Sequence, residues 1–215
     1  MIRLYSHWRS SAAYRVRVGL HLKKLQFETM AVDLARPPDE RDPHYPALNP
    51  QGLVPTLVID GVAIGQSLAI LEYLDERYPD PPLLPGDALQ RARARELALT
   101  IAADVHPLNN LRVLRYLENE LHTGDAARQA WYHHWLRIGL GAAERLVDSR
   151  GPFALGANLG LADLFIVPQL YNARRFGFSL QAYPRLRRID AACAPLEAFA
   201  RALPERQPDA PAAVS

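Results

Sequence analysis

Between residues 79 and 86 the chain reads Pro79-Asp80-Pro81-Pro82-Leu83-Leu84-Pro85-Gly86, and neither a helix nor an inner strand can run through it. Each proline lacks a backbone N–H and fixes its own φ, so the stretch reads as an ordered linker. The 215 residues are cut there into a leading part of mixed pattern and a trailing part that is almost wholly helical. Domains are expected at residues 1–80 and 87–203. With 49% hydrophobic residues, the chain has material for a substantial core on either side of the cut.

The leading part alternates strands and helices. Residues 2–6 alternate like a strand, and residues 11–22 carry Ala13, Val16 and Leu20 at helical spacing. Residues 27–32 form a second β-type run, which completes a βαβ unit. Thr56-Leu57-Val58-Ile59, then Asp60-Gly61, then Val62-Ala63-Ile64 form a hairpin, because Asp-Gly accepts the positive φ angles of a tight turn. A helix over residues 67–78 follows, with Leu68, Leu71, Leu74 and Tyr78 on one side and Pro79 ending it. The order βαβ, loop, ββα is that of a thioredoxin-like domain. Beyond the linker the periodicity predicts helices over residues 89 to about 120, 126–149, 161–173, 185–193 and 196–203, an all-helical domain. The proline- and alanine-rich tail from Pro204 is expected to fray.

Composition excludes several function classes. Lysine and arginine number 25 against 23 acidic residues, a formal charge of +2, so nothing broad attracts nucleic acid or an acidic membrane. The first residues lack the continuous apolar run of a signal peptide, and no later segment approaches a membrane span, so the chain is placed in the cytoplasm. The single cysteine, Cys193, excludes an internal disulfide, a cysteine metal site and a CxxC redox pair. Any thiol chemistry uses a borrowed thiol. His133 and His134 adjoin on a helix and point apart, with no carboxylate at ligand spacing, so no metal site is expected. Trp131 and Trp135, continued by Ile138 and Ala142, read as core packing. The mixed-charge run from Gln90 to Glu96 reads as a solvated helix face or part of a dimer surface.

Three short segments carry chemistry. Ser10 and Ser11 sit where the first strand hands over to a helix, and unpaired N–H groups with the helix dipole favour an anion such as a thiolate there. An isolated Ser-Ser is equally a plain helix cap. In Asn49-Pro50-Gln51-Gly52-Leu53-Val54-Pro55-Thr56, Pro55 stands just before the hairpin. A cis Pro55 would turn Val54 outward to offer its main chain to an extended peptide, while an ordinary trans proline at a strand start is the plain alternative. Gln66-Ser67 open the next helix and can clasp a carboxylate or simply cap it. Together the three suit a short acidic peptide that carries a thiol.

These motifs resemble the glutathione transferases, and specifically the zeta class with its maleylacetoacetate and maleylpyruvate isomerases. The resemblance runs from Met1 to about Pro208 and rests on Ser10-Ser11-x-x-x-Arg15-Val16-Arg17, residues 48–55, Gln66-Ser67, Asp104-Val105-His106-Pro107-Leu108-Asn109-Asn110 and Ala173-Arg174-Arg175-Phe176. It implies that Ser10 activates glutathione, that Ser11, Gln51, Val54 and Pro55 contribute to holding it, and that Gln66 and Ser67 take its γ-glutamyl end. It further implies that Arg9 and Arg175 grip substrate carboxylates and that His106 and Asn109 face glutathione or substrate. Arg174 reads as a surface neighbour, and Arg15 and Arg17 as partners for acidic groups of the second domain. His106 equally reads as serving a bend at Pro107. Two positions depart from the family pattern. Ala12 replaces the usual cysteine after the serine pair, and Gly160 replaces a Ser or Thr ahead of Asp163. The implied activity is glutathione-dependent cis–trans isomerisation of a maleyl ketoacid, a small dicarboxylate, by an isologous homodimer without nucleic-acid or membrane partners. A general transferase acting on apolar electrophiles, and a binding protein that has lost thiol activation, stay open at this level.

Overall fold

The structure is a computed structural model that describes residues 1–34, 36 and 42–211. Strand β1 (Ile2–Ser6) leads through a short turn into helix α1 (Ser11–Leu22), and β2 (Glu28–Ala31) returns beside β1 in parallel. A four-residue helix, α2 (Tyr45–Leu48), precedes the hairpin of β3 (Thr56–Ile59) and β4 (Val62–Gly65), and α3 (Ser67–Arg77) follows. The sheet order is β2-β1-β3-β4, with β3 antiparallel to both neighbours. Asp60 and Gly61 have φ of 50° and 80°, as the Asp-Gly hairpin requires. This is the βαβ-ββα arrangement expected of a thioredoxin-like domain. Leu4, Leu57 and Ile59 from the sheet meet Val16 and Leu20 of α1 and Ile70 and Leu74 of α3 in one buried cluster. Val32, Tyr45 and Val54 form a second cluster.

The remaining elements are helical. They comprise α4 (Ala88–Leu99), a π-helical turn over Thr100–Val105, α5 (His106–Leu108), α6 (Leu111–Asn119), α7 (Asp125–Leu146), α8 (Leu161–Arg175), α9 (Pro184–Cys193) and α10 (Glu197–Ala202). The single bent helix expected over residues 89 to about 120 is therefore three helices, α4 running into α5 through a π turn and α6 following after Asn109-Asn110. Pro107 has no N–H and its ring crowds the carbonyl four residues back, so the chain widens ahead of it. The His106 N–H reaches back five residues to the Ile101 carbonyl. Gly139 of α7 lies against this turn, and a Cβ there would overlap Val105 Cγ2.

The chain divides into two compact units, Met1–Leu83 with Ala194–Ser215, and Leu84–Cys193. The cut falls inside the proline-rich linker. Lys23 Nζ donates to Asp75 Oδ1 and to the Pro81 carbonyl, both at 2.6 Å, and Leu83 N–H donates to Asp75 at 2.7 Å, so the linker is held as well as stiff. At the other end the division differs from the expected 87–203. Helix α10 groups with the first unit because it packs on α1, and a second covering layer explains why α1 is buried on every side from Ser11 to Leu20. The expected fraying from Pro204 is also corrected. Pro204–Arg206 forms a 3-10 turn, and Gln207 Nε2 ties it to the carbonyls of Arg201 and Leu203 at 3.0 and 2.8 Å. Residues 212–215 of that tail lie outside the described residues.

On α7 the buried positions are Tyr132, Leu136, Gly139, Leu140 and Ala143, and Ile138 is exposed. The face expected from Trp131, Trp135, Ile138 and Ala142 is thus displaced. Apolar residues occur around this helix, so periodicity did not single out a face. Trp131 and Trp135 still meet edge to face at 5.6 Å.

Asp163 organises the start of α8. Its carboxylate accepts from Ala154 N–H at 2.8 Å and from Gly160 N–H at 2.9 Å, so the glycine that departs from the family pattern keeps the half of a capping box that runs through its own N–H. Burial pushes the Asp163 carboxyl up to about 6, against the backbone N–H groups of Gly160, Ala154 and Asp163 itself that hold it down. A buried donor left unpaired costs about 1–3 kcal/mol, so Asp163→Ala is expected to destabilise the helical unit by several kcal/mol in a denaturant melt. The folded pKa lies above the unfolded value of about 3.9, so the folded state binds the extra proton between those values. This residue's contribution to stability therefore falls as pH rises from about 4 to about 6. Melts of Asp163→Asn over that window should lose this component of the slope.

Candidate functional site

The register of the sheet brings the chemistry-bearing segments of the first unit together. Tyr5 pairs with Thr56, and Thr56 with Gly65, so β1 ends, β3 begins and β4 ends in one row. The turn to Ser10, the approach through Val54-Pro55 and the step to Gln66-Ser67 leave the sheet at this end.

Ser10 is the N-cap of α1, with φ −66° and ψ 116°, and its Oγ accepts from Ala13 N–H at 3.2 Å. A hydroxyl offers one donor and two acceptor lone pairs, so capping leaves the O–H to donate. Among the described residues nothing accepts from it. Ser10 is partly exposed, whereas Ser11 is 5% exposed within the first turn. The geometry therefore selects Ser10 of the pair as the outward hydroxyl. Arg9 is exposed, with its guanidinium 4.8 Å from the Trp8 ring centroid.

The Val54-Pro55 bond is cis, and among the described residues the Val54 main chain has no hydrogen-bond partner. The loop that presents it is braced from beneath by two residues to which sequence analysis gave no role. Asn49 Nδ2 donates to the Leu53 carbonyl at 2.7 Å and to Thr56 Oγ1 at 3.0 Å, while its Oδ1 accepts from Gln51 N–H at 3.1 Å. The Tyr45 hydroxyl donates to the same Leu53 carbonyl at 2.6 Å and lies 2.8 Å from Thr56 Oγ1. Asn49 stood inside the motif, but Tyr45 lies in a helix too short for periodicity to reveal.

Gln66 has φ 66° and ψ 118°, a conformation uncommon outside glycine and often found where a binding site over-determines the backbone. Its Nε2 donates to Gln51 Oε1 at 2.7 Å, which joins two residues that sequence had assigned to the same ligand. Ser67 starts α3, whose first N–H groups lack intrahelical partners. The Ser67 Oγ accepts from Arg15 Nη1 at 3.2 Å. An arginine can only donate, so the Ser67 proton must point elsewhere, and an anion at the helix start is a suitable acceptor. Arg15 is 1% exposed, and burial lowers its pKa to about 9, which leaves it charged at neutral pH. Arg17, also buried, donates to Ser6 Oγ, the Trp8 carbonyl and the Ala202 carbonyl, each at 3.1 Å. These acceptors of Arg15 and Arg17 are neutral oxygens of the same unit, where acidic groups of the second domain had been anticipated. A buried guanidinium placed among carbonyls and hydroxyls can draw several backbone segments together.

The other expected residues belong to the helical unit. His106 opens α5, and its carbonyl accepts from Asn109 N–H at 3.2 Å. Asn109 is 6% exposed and its Nδ2 donates to the Tyr132 carbonyl at 3.2 Å, the placement of a brace between helices. Arg175, the last residue of α8, is exposed with its guanidinium 4.8 Å from the Phe176 ring centroid. Arg174 pairs with Asp190 at 2.6 Å, in keeping with a surface neighbour. Cys193 is fully buried, and burial raises its thiol pKa, so it is held in the protonated form. Among the described residues no group of His, Cys, Asp and Glu could hold a metal ion.

The first unit thus offers an unpaired main chain at Val54, a helix start with a hydroxyl at Ser67, paired amides at Gln51 and Gln66, and a donor at Ser10. An extended acidic thiol peptide such as glutathione fits this set. Asn49→Ala is expected to destabilise the unit by about 1–3 kcal/mol and, by loosening the Gln51–Val54 loop, to weaken glutathione binding. Calorimetric titration beside a denaturant melt checks both.

A model of the glutathione S-transferase N-terminal domain matches residues 9–77. The chain is 47% identical over 209 residues to a probable maleylacetoacetate isomerase of Vibrio cholerae, with 96% of this chain and 97% of the relative covered. Among solved structures, a holo maleyl pyruvate isomerase described as a bacterial zeta-class glutathione S-transferase superposes with a TM-score of 0.92 at 43% identity, covering 97% of this chain and all of that one. A maleylacetoacetate isomerase of Anaeromyxobacter dehalogenans 2CP-1 with glutathione bound in its active site gives 0.87 at 46% identity, with 98% of each chain covered.

Proposed function

The chain belongs to the zeta class of the glutathione S-transferase family, and from that premise we propose that it is a glutathione-dependent cis–trans isomerase of a maleyl ketoacid. The observation that carries the reading is the Ser10 hydroxyl, capped as an acceptor and open as a donor, at the sheet end where Val54, Gln66 and Ser67 can hold a peptide. Bound glutathione supplies a thiolate that adds to the cis double bond of the maleyl group, which lets that bond rotate, and departs to leave the fumaryl isomer.

The residues' part is to make and aim that thiolate. A free thiol has a pKa of about 8.5, and lowering it by two units takes about 2.7 kcal/mol of preference for the charged form. A hydrogen bond donated by Ser10 to a charged sulfur contributes about 1.5–3 kcal/mol and the start of α1 about 0.3–1 kcal/mol. The two together suffice. Gln51 and the Val54 main chain hold the peptide, Pro55 fixes the turn, and Gln66 with Ser67 receives the γ-glutamyl carboxylate. Ser11 supports the first turn of α1. Arg9 and Arg175 are assigned to the substrate's carboxylates, and a planar two-pronged donor suits that task. His106 retains its proposed place facing glutathione or substrate. For Asn109 the brace to Tyr132 favours support of that helix over direct contact. No helix among the described residues is long and apolar enough to cross a membrane. The reading places the chain in the cytoplasm as a homodimer, on the strength of the family resemblance.

The direct test is incubation of the purified protein with maleylpyruvate and with maleylacetoacetate, each with and without glutathione. Glutathione-dependent appearance of a fumaryl product is expected, and its absence with both would sink the reading. Ser10→Ala should lower kcat about ten- to a hundred-fold, the loss of one charge-assisted hydrogen bond, with glutathione affinity within a few-fold. Arg175→Lys should weaken kcat/KM on the ketoacid, and Arg175→Ala should weaken it further, by about ten- to a hundred-fold. Conjugation of a neutral electrophile serves as the control. An equal fall in both activities would assign Arg175 to support of the fold.

A further inference from the structure

The turn that carries Ser10 is held from the far end of the chain. Trp8 N–H donates to Asp209 Oδ2 at 2.8 Å across 201 positions of sequence, and the Trp8 carbonyl accepts from Arg17 Nη2 at 3.1 Å. The same buried guanidinium holds the Ala202 carbonyl at the end of α10. Ser10 N–H closes the turn on the His7 carbonyl at 2.9 Å. Both main-chain groups of Trp8 are thereby tied, one directly to the C-terminal segment and one through Arg17.

The segment that carries Asp209 is itself anchored. Gln207 Nε2 binds the carbonyls of Arg201 and Leu203, and Ala210 N–H donates to the Gln207 carbonyl at 3.0 Å. Asp209 Oδ1 is buried and has no hydrogen-bond partner among the described residues. A buried carboxylate oxygen without a partner works against stability, and the bond from Trp8 N–H to the other oxygen is the polar contact the side chain makes in return. The field of Asp209 also reaches the turn. It raises the His7 pKa against burial, the largest influence, which lowers it.

We infer that Asp209 is a positioning residue for Ser10, one that fixes the Trp8-Arg9-Ser10 turn through the Trp8 N–H. The segment beyond residue 203 thereby becomes part of what aims the Ser10 hydroxyl at the glutathione sulfur. This inference rests on the assignment of Ser10 above.

Asp209→Ala removes the acceptor, Asp209→Asn keeps a carbonyl oxygen in its place, and Asp209→Glu keeps the charge but moves the oxygen by one methylene. Four quantities are read for each. They are Trp8 amide hydrogen exchange in the ligand-free protein, glutathione affinity by calorimetry, the pKa of the bound thiol by thiolate absorbance, and kcat with KM on a maleyl ketoacid. Asp209→Ala is expected to speed Trp8 exchange about ten-fold or more, to raise the bound-thiol pKa, and to lower kcat about ten- to a hundred-fold, since a small misplacement of a catalytic group has effects of that order. Glutathione affinity should stay within about three-fold, because the peptide-holding residues are elsewhere. Asp209→Asn should restore exchange and kcat to near wild type, and Asp209→Glu should fall between. Faster exchange with unchanged thiol pKa and kcat overturns the inference, as does an equal loss in Asn and Ala. If Asp209→Ala does not fold, Asp209→Glu decides the matter, and wild-type kcat with accelerated Trp8 exchange counts against the inference. Ser10→Ala is measured alongside. If it leaves the bound-thiol pKa unchanged, the Ser10 assignment fails, whereas a raised value there with no effect of Asp209→Ala defeats only the role of Asp209.

Discussion

The backbone ladder that pairs Tyr5 with Thr56 and Thr56 with Gly65 is the constraint on which the rest of the site depends. Strand residues alternate faces with a period of two, so a slip of one residue in β3 would turn Leu57 and Ile59 out of the core and carry Val54 away from the Ser10 turn. The apolar cluster of Leu4, Leu57 and Ile59 with α1 and α3 forbids that slip. Burial and the grouping of these loops are therefore set by one register. The same interactions that close the core decide which loops share an end of the sheet.

Two arginines on α1 extend that order outward. Arg15 and Arg17 are almost completely buried, and a guanidinium cut off from water has to find acceptors or carry a large desolvation cost. Arg15 meets this partly through Ser67, and so links α1 to the start of α3. Arg17 links β1, the Trp8 turn and α10. The helix that Ser10 caps is thus fastened on both sides by its own charged residues. Ala12, where the family has a cysteine, is buried on the same helix, so a small apolar side chain fills that packing position.

In the helical unit the organising demand is satisfaction of backbone polar groups. Asp163 takes two N–H groups ahead of α8. At the C-terminal end of α5, Asn109 donates to the Tyr132 carbonyl and the Leu108 carbonyl accepts from the Trp131 indole, which ties that end to α7. These bonds hold the short α5 in place beside the π turn that precedes Pro107.

Sequence alone determined the local elements and the identity of the chemistry. Proline placement cut the chain, Asp-Gly located the hairpin, alternation and helical spacing named the strands and helices, and the serine, glutamine and arginine motifs pointed to a glutathione site. These are properties of near neighbours, which periodicity and turn chemistry express directly. Tertiary structure decided what depends on distant partners. It left Ser10 partly exposed and buried Ser11, gave Tyr45 and Asn49 the task of bracing the Val54 loop, and set Arg15 and Arg17 against hydroxyls and carbonyls of their own unit. It placed α10 and Asp209 with the first unit although the linker argument had assigned the chain through 203 to the second. A hydrogen bond between residues 8 and 209 leaves no periodic trace in either segment, because its acceptor is selected by the folded surface it meets and by nothing in its own neighbourhood.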